Sequence, residues 1–310
     1  MLRTIGKTVE FRGVGLHGGQ DVTMSLEPMP AGSGIRFIRV DVPVEYQSIE
    51  ARYDCVSDTR LCTKITNEYG VSVGTVEHVM AALAGCGIND ALIALDGPEV
   101  PIMDGSSAQF VEGIMAAGIR ARRHAAPAIR MLSTVRVENG DRWAALSPAD
   151  RFCMKFRIEF DDPAIGTQEY QADLVNGAFV DEFSNCRTFG RLSDVEDLKK
   201  LGLGRGGGLH NAIVVDDGRV LNRNGLRRPD EFVRHKMLDA IGDLALAGAP
   251  IIGAYTGVKA GHEMTNRLLR VLFETPGAWE WDVLPADMAL GFDDAPEQGR
   301  SHHENRALAV

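Results

Sequence analysis

The stretch Phe232-Val-Arg-His-Lys-Met-Leu-Asp-Ala-Ile-Gly-Asp243 decides the fold once it is set beside Glu77-His-Val-Met-Ala-Ala-Leu-Ala-Gly85. Both segments carry His, Met and Gly at the same offsets: His78, Met80 and Gly85 in one, His235, Met237 and Gly242 in the other. Each segment reads as a helix followed by a strand, Asp90–Leu95 after the first and Ile251–Gly257 after the second. The echo predicts a duplicated α+β architecture: two similar domains, each a β-sheet layer packed with α-helices, arranged so that the two His-bearing helices approach.

Working outward, the helix over Pro229–Ala247 has Pro229 at its first position and acids in its first turn, both favourable there. At about 100° per residue, His235, Asp239 and Asp243 share one stripe with Lys236 beside it, while Val233, Met237, Leu238, Ala240, Ile241 and Leu244 form the opposite, core-facing side. In the first half, Thr75 reads as the cap of the helix over 76–84, a second helix covers Ser107–Ala117, and alternating segments such as Val22–Leu26 and Gly34–Val40 read as half-buried strands. Strands resume at Ile129, with further ones at Thr134–Val137 and Cys153–Phe160. Between Gly118 and Pro127 the chain turns rich in Arg, His and Ala, which predicts a solvated linker. The expected division is residues 1–123, residues 128–295 with an insert at about 194–222, and a frayed tail over 296–310, His302 and His303 included.

Composition narrows the function. The 310 residues, 45% hydrophobic and 25% charged, describe an ordinary globular chain. A net charge of −10 repels phosphate backbones and disfavours a nucleic-acid partner. No apolar run approaches the ~18–20 residues of a membrane span. Met1–His17 carries Arg3, Lys7, Glu10 and Arg12 without an apolar core, which reads as a cytoplasmic chain rather than an exported one. Five cysteines without a Cys-x-x-Cys pair suit reduced thiols and exclude a Cys-rich metal site.

Three places bring titratable groups together. His235 and Asp239, at i and i+4, can point at one cation, although the same spacing serves a solvated ion pair. Glu77 and His78 adjoin at a helix start, where His78 can bind a metal while Glu77 acts as a base on water; a favourable acid at a helix N-terminus is the structural alternative. Gly261-His-Glu263 reads as a glycine-hinged loop able to carry His262 into a cleft. Ser184-Asn-Cys-Arg-Thr-Phe189 adds the Thr188 hydroxyl and the Arg187 charge. Gly202-Leu-Gly-Arg-Gly-Gly207 satisfies a dinucleotide-loop expression, but a helix-like segment precedes it and a strand, Ala212–Asp216, follows, the reverse of the required order. It is read as a loop.

Taken together, Gly15-Leu-His-Gly18, Thr75-Val-Glu-His78, Pro101-Ile-Met-Asp-Gly-Ser106, Cys186-Arg-Thr-Phe189, the block Phe232–Asp243 and Gly261-His262 resemble the zinc-dependent UDP-3-O-acyl-N-acetylglucosamine deacetylases of bacterial lipid A synthesis. The likeness runs in order over roughly Thr4 to Leu272. It implies a two-domain α/β sandwich with small inserts, one of which, around Leu198–Val214 here, lines a passage for the substrate's acyl chain. It implies Zn2+, with Fe2+ as the other ion that two His and one Asp suit, held by His78, His235 and Asp239. Glu77 is the implied base, His262 the second acid/base group and Asp243 its partner, and the Thr188 hydroxyl is the implied oxyanion donor. Implied substrate contacts are Lys236, Phe189, Leu61, Cys62, Phe160 as a uridine-stacking ring, and Gly207. The chain departs from the family where Gly18-Gly19 follows His17 and in its Gly-rich run Gly202–Gly208. A metal amidohydrolase for another acetylated substrate, or a sugar-nucleotide-binding protein without catalysis, shares the same residues and is the alternative.

Overall fold

The computed structural model describes residues 1–200, 202–285 and 288; the expected tail over 296–310 lies outside the described residues. Six helices are described: α1 (Glu77–Gly85), α2 (Ala108–Ala117), α3 (Ala178–Glu182), α4 (Leu192–Lys200), α5 (Glu231–Ala245) and α6 (His262–Glu274). Two five-stranded sheets accompany them. In the first, the strands lie in the order Val9–Val14, Asp21–Pro28, Ala91–Leu95, Ile35–Arg39, Ser48–Glu50. In the second, the order is Val135–Asn139, Arg142–Ser147, Ala254–Val258, Cys153–Glu159, Thr167–Asp173. Both sheets are antiparallel except between their third and fourth members, where Ala91–Leu95 runs parallel to Ile35–Arg39 and Ala254–Val258 parallel to Cys153–Glu159. The two halves thus repeat one topology, an α+β fold of two layered units.

Period-two patterning explains which face of each sheet is covered. Val22, Met24 and Leu26 are buried in one half, and Met154, Phe156 and Ile158 in the other, with less buried residues between them. Helix α2 packs on the Val9–Val14 strand, α5 and α6 pack on the second sheet, and α1 meets α5, so the helix layers of the two halves face each other. One continuous buried cluster joins them. Burying Phe232, Val233, Met237, Leu238, Ile241 and Leu244 of α5 contributes ~1.5–3 kcal/mol for each large side chain.

The glycines of the echo mark two close approaches. A Cβ on Gly242 would stand 2.0 Å from the Glu77 carbonyl oxygen, and one on Gly85 would stand 2.0 Å from the Phe179 ring. The absence of a side chain at 242 therefore lets α5 lie against the start of α1.

Five local expectations are corrected. Thr75 does not cap α1: it sits at φ 56°, its hydroxyl donates to Glu99 at 2.8 Å, and Val76 occupies the cap. That left-handed backbone is costly for a β-branched residue, and it turns the chain sharply out of the Gly74–Glu99 bridge into the helix. Pro229 precedes α5 rather than opening it, because Asp230 is the cap. The stretch after Gly118 is not wholly linker, since Ile119–Ala121 pairs antiparallel with Arg3–Ile5. The strand expected over Ile251–Gly257 is broken at Gly253, where a Cβ would crowd Met131 and the Ser147 carbonyl. His262 is not on a loop; it opens α6, whose Met264, Leu268, Leu269 and Leu272 form a buried stripe at helical spacing. The Gly202–Gly208 segment is a loop between α4 and the strand Ile213–Asp216, as its order implies. All five cysteines are free. No helix among the described residues is long and apolar enough to cross a membrane. We propose that the two units divide between residues 123 and 128.

Candidate active site

Helices α1 and α5 bring the echoed histidines together, their rings edge to face with centroids 5.1 Å apart. With Asp239 one turn beyond His235, the three buried side chains offer ligand atoms that all lie within 4.8 Å of one another. Asp239 Oδ1 stands 3.3 Å from His235 Nε2 and 3.5 Å from His78 Nε2, and it has no hydrogen-bond partner among the described residues. Its other oxygen receives the Lys236 Nζ at 2.6 Å. His235 Nδ1 is paired with the Cys186 carbonyl at 3.0 Å, which leaves Nε2 its lone pair. Three electron-pair donors crowded in a buried space with no shared proton repel one another unless a cation lies between them. Two imidazoles and a carboxylate suit zinc or Fe(II).

Charge supports that fit. Burial lowers His235 to about 4, keeping the ring neutral as a ligand must be. Burial opposes charge on Asp239, yet the Lys236 ammonium beside it helps hold its carboxyl well below the usual range.

A second group flanks the trio. Glu77 is buried beside His78, and burial raises its carboxyl. Glu77 Oε1 lies 3.9 Å from His262 Nε2, and His262 Nδ1 meets Asp243 Oδ2 at 2.8 Å. Burial disfavours the imidazolium of His262, but the carboxylates of Asp243, Glu77 and Asp239 overcome this and raise it to about 9. One carboxyl is thus pushed up and one imidazole held protonated across a narrow gap, the arrangement of an acid/base pair.

Thr63 ties the two sides together and was missed by the sequence reading. Its backbone N–H donates to Glu77 Oε2 at 3.0 Å, and its hydroxyl donates to Asp243 Oδ1, across 180 positions of sequence. Its position directly after Leu61-Cys62 was the only available signal. Thr63→Val removes a hydrogen bond to a charged group and leaves a buried carboxylate oxygen unpaired, so folding stability is expected to fall by ~1.5–3 kcal/mol. Denaturant melts of the two proteins check this.

The remaining expected residues are placed as follows. Thr188 stands two residues beyond Cys186, its N–H donating to the Gly105 carbonyl at 2.7 Å. Phe189 meets the rings of Phe160, Phe232 and His235 at 5.5, 4.9 and 6.1 Å, and so links Phe160 to the trio. Cys62 is half-buried, and burial, with Glu77 nearby, pushes its thiol up to about 12. Leu61 is exposed. Gly207 lies near Leu16, and the adjacent Gly206 N–H donates to the Leu16 carbonyl at 3.0 Å, seating the Gly-rich loop on the first half. Lys236 faces Asp239 in this structure.

A buried His-His-Asp trio able to hold one cation, flanked by a buried carboxyl and imidazole, has the make-up of a metal-dependent hydrolase. The family model described as UDP-3-O-acyl N-acetylglycosamine deacetylase matches residues 2–274, and this chain belongs to that family. It is therefore an amide hydrolase of the deacetylase class. Similar proteins named UDP-3-O-acyl-N-acetylglucosamine deacetylase include those of Pasteurella multocida, 47% identical over 302 residues (96% of this chain, 98% of that one), and Histophilus somni, 47% identical over 283 residues (90% and 92%). A third, from Myxococcus xanthus, is 48% identical over 298 residues, 94% of this chain and 93% of its own.

Proposed function

We propose that this chain removes the N-acetyl group of UDP-3-O-(3-hydroxyacyl)-N-acetylglucosamine, releasing acetate and the free amine, in the cytoplasm and at an early step of lipid A biosynthesis. The observation that carries the reading is the buried trio His78, His235 and Asp239 within 4.8 Å, with the Glu77–His262 pair beside it. His78, His235 and Asp239 hold a divalent ion, zinc in the first instance, with Fe(II) the alternative. When bound, the ion polarises the scissile carbonyl and acidifies the attacking water.

The chain's own residues do the rest. Glu77 takes the proton of the attacking water, its raised carboxyl matching that task better than an exposed one. The Thr188 hydroxyl donates to the developing oxyanion, a contribution of ~2.7–4 kcal/mol for one such donor. His262, held protonated by Asp243, gives its proton to the departing nitrogen, without which an amine is a poor leaving group. Lys236 orients Asp239 and adds positive charge beside the substrate. Phe160 and Phe189 offer a ring surface for the uracil, and the loop carrying Gly207, with Leu16, borders the acyl chain, joined by Leu61 and Cys62. Acetate release from the acylated UDP-sugar, compared with the unacylated UDP-sugar and with a chelator-treated control, tests the reading. Acetate release that ignores acylation points to another acetylated substrate.

His262 sets the alkaline limit. Its folded value of about 9 exceeds the ordinary 6.5, so its ionic contribution to stability is complete below about 6.5 and lost as pH rises through about 9. The kcat/KM profile is expected to fall above that point. Asp243→Asn removes the strongest raising charge, leaving burial to oppose the imidazolium, and should move the limb by about one unit or more toward acid, as a pH–rate profile reads directly.

A further inference from the structure

Glu231, the first residue of α5, is 0% exposed and touches none of the reacting groups, yet its carboxylate gathers four donors. These are the Arg187 N–H at 3.0 Å, Arg187 Nε at 2.9 Å, Arg187 Nη2 at 3.1 Å and the Arg227 N–H at 2.6 Å. Arg187 is itself buried, and its Nη2 also donates to the Gly225 carbonyl at 2.9 Å. One helical turn later on the same face, His235 Nδ1 meets the carbonyl of Cys186, the residue before Arg187. The first turn and a half of α5 therefore grips segment 186–188 at two points, through a fixed ion pair at Glu231 and through the imidazole at His235.

We propose that Glu231 is a positioning residue for the metal-holding face of His235, acting through Arg187 and the Cys186 carbonyl. The Cys186 carbonyl is the partner that keeps the proton on Nδ1 and the lone pair on Nε2, and its place along α5 is set by the neighbouring Arg187 N–H and guanidinium clamped on Glu231. Without the carboxylate, a buried guanidinium has no counter-charge and draws segment 186–188 toward other acceptors. The carbonyl then leaves Nδ1, and the ring loses both its orientation and its fixed tautomer. His78 has no such support, since its Nδ1 finds no partner among the described residues, so the site's rigidity depends on the His235 side. The same segment carries Thr188, which moves with it.

This inference rests on His235 being a metal ligand. The test titrates Zn2+ into the metal-stripped full chain against a fluorescent chelator, for the wild type and Glu231→Gln, and follows thermal melting of both metal-free proteins. Zinc affinity is expected to fall ~10–100-fold in Glu231→Gln, with kcat recovering toward wild type once zinc is saturating. Should Glu231→Gln not fold, Arg187→Lys keeps the charge, removes the fork, and is expected to weaken zinc several-fold. Affinity within threefold of wild type in the folded variants, with only a lower melting temperature, overturns the proposal and makes the pair a structural strut. Wild type that binds no zinc overturns instead the ligand reading beneath it.

Discussion

Glu77→Gln is expected to lower kcat by ~10²–10⁴-fold, the range lost with a positioned general base, while the protein keeps its metal. Glutamine is the informative change. Its side-chain oxygen still accepts the Thr63 N–H that Glu77 Oε2 receives, so the α1 start stays in place and only the ability to take a proton is lost. Glu77→Ala orphans that buried N–H, and any difference between the two variants measures the structural share. Metal analysis on both proteins separates the base from the ligands, because Glu77 adjoins His78 and meets His262 at 3.9 Å but is not one of the three clustered ligand residues. Turnover near wild type in Glu77→Gln would remove Glu77 as the base. His262→Ala is the companion change, with loss of turnover and retained metal expected, because His262 faces Asp243 and Glu77.

The other large effect concerns the trio. Four-ligand structural zinc sites supply ~10–16 kcal/mol of binding, so one ligand is worth ~2.5–4 kcal/mol, and His78→Ala or Asp239→Ala should weaken the metal ~10²–10³-fold. Activity falls with metal occupancy and is recovered in part by excess metal. The two substitutions should differ in a second respect. Asp239→Ala also strips Lys236 of its 2.6 Å partner, leaving a partly buried ammonium uncompensated, so its folding stability should drop further than that of His78→Ala. Competition binding and denaturant melts of the two variants read these effects separately.

Much of the arrangement was legible because it lies on short-range periodicity. The His-Met-Gly echo exposed the repeat, since His78 and His235 must sit on facing helices and Gly85 and Gly242 must lack side chains where α1 and α5 meet their neighbours. The i, i+4 spacing of His235 and Asp239 needed nothing beyond helix geometry. What escaped depends on contacts between distant residues. Thr63 reaches Asp243 across 180 positions, and Glu231 clamps Arg187 across 44, with no local pattern to announce either. The Gly261-His-Glu263 pattern predicts a loop, yet the apolar stripe that follows makes it the start of α6. The approach of the two His-bearing helices follows from the echo, and because α1 covers the titratable stripe of α5 its charges are buried and their pairing becomes a structural necessity.

We infer that amide hydrolysis by this chain requires one divalent ion shared by His78, His235 and Asp239. It is tested most directly by stripping the metal, adding zinc back in known increments, and measuring bound ion and acetate release from the acylated UDP-sugar on the same samples. Activity is expected to be absent at zero metal and to rise in proportion to occupancy up to one ion per chain. Full acetate release from protein shown to contain no metal would contradict it.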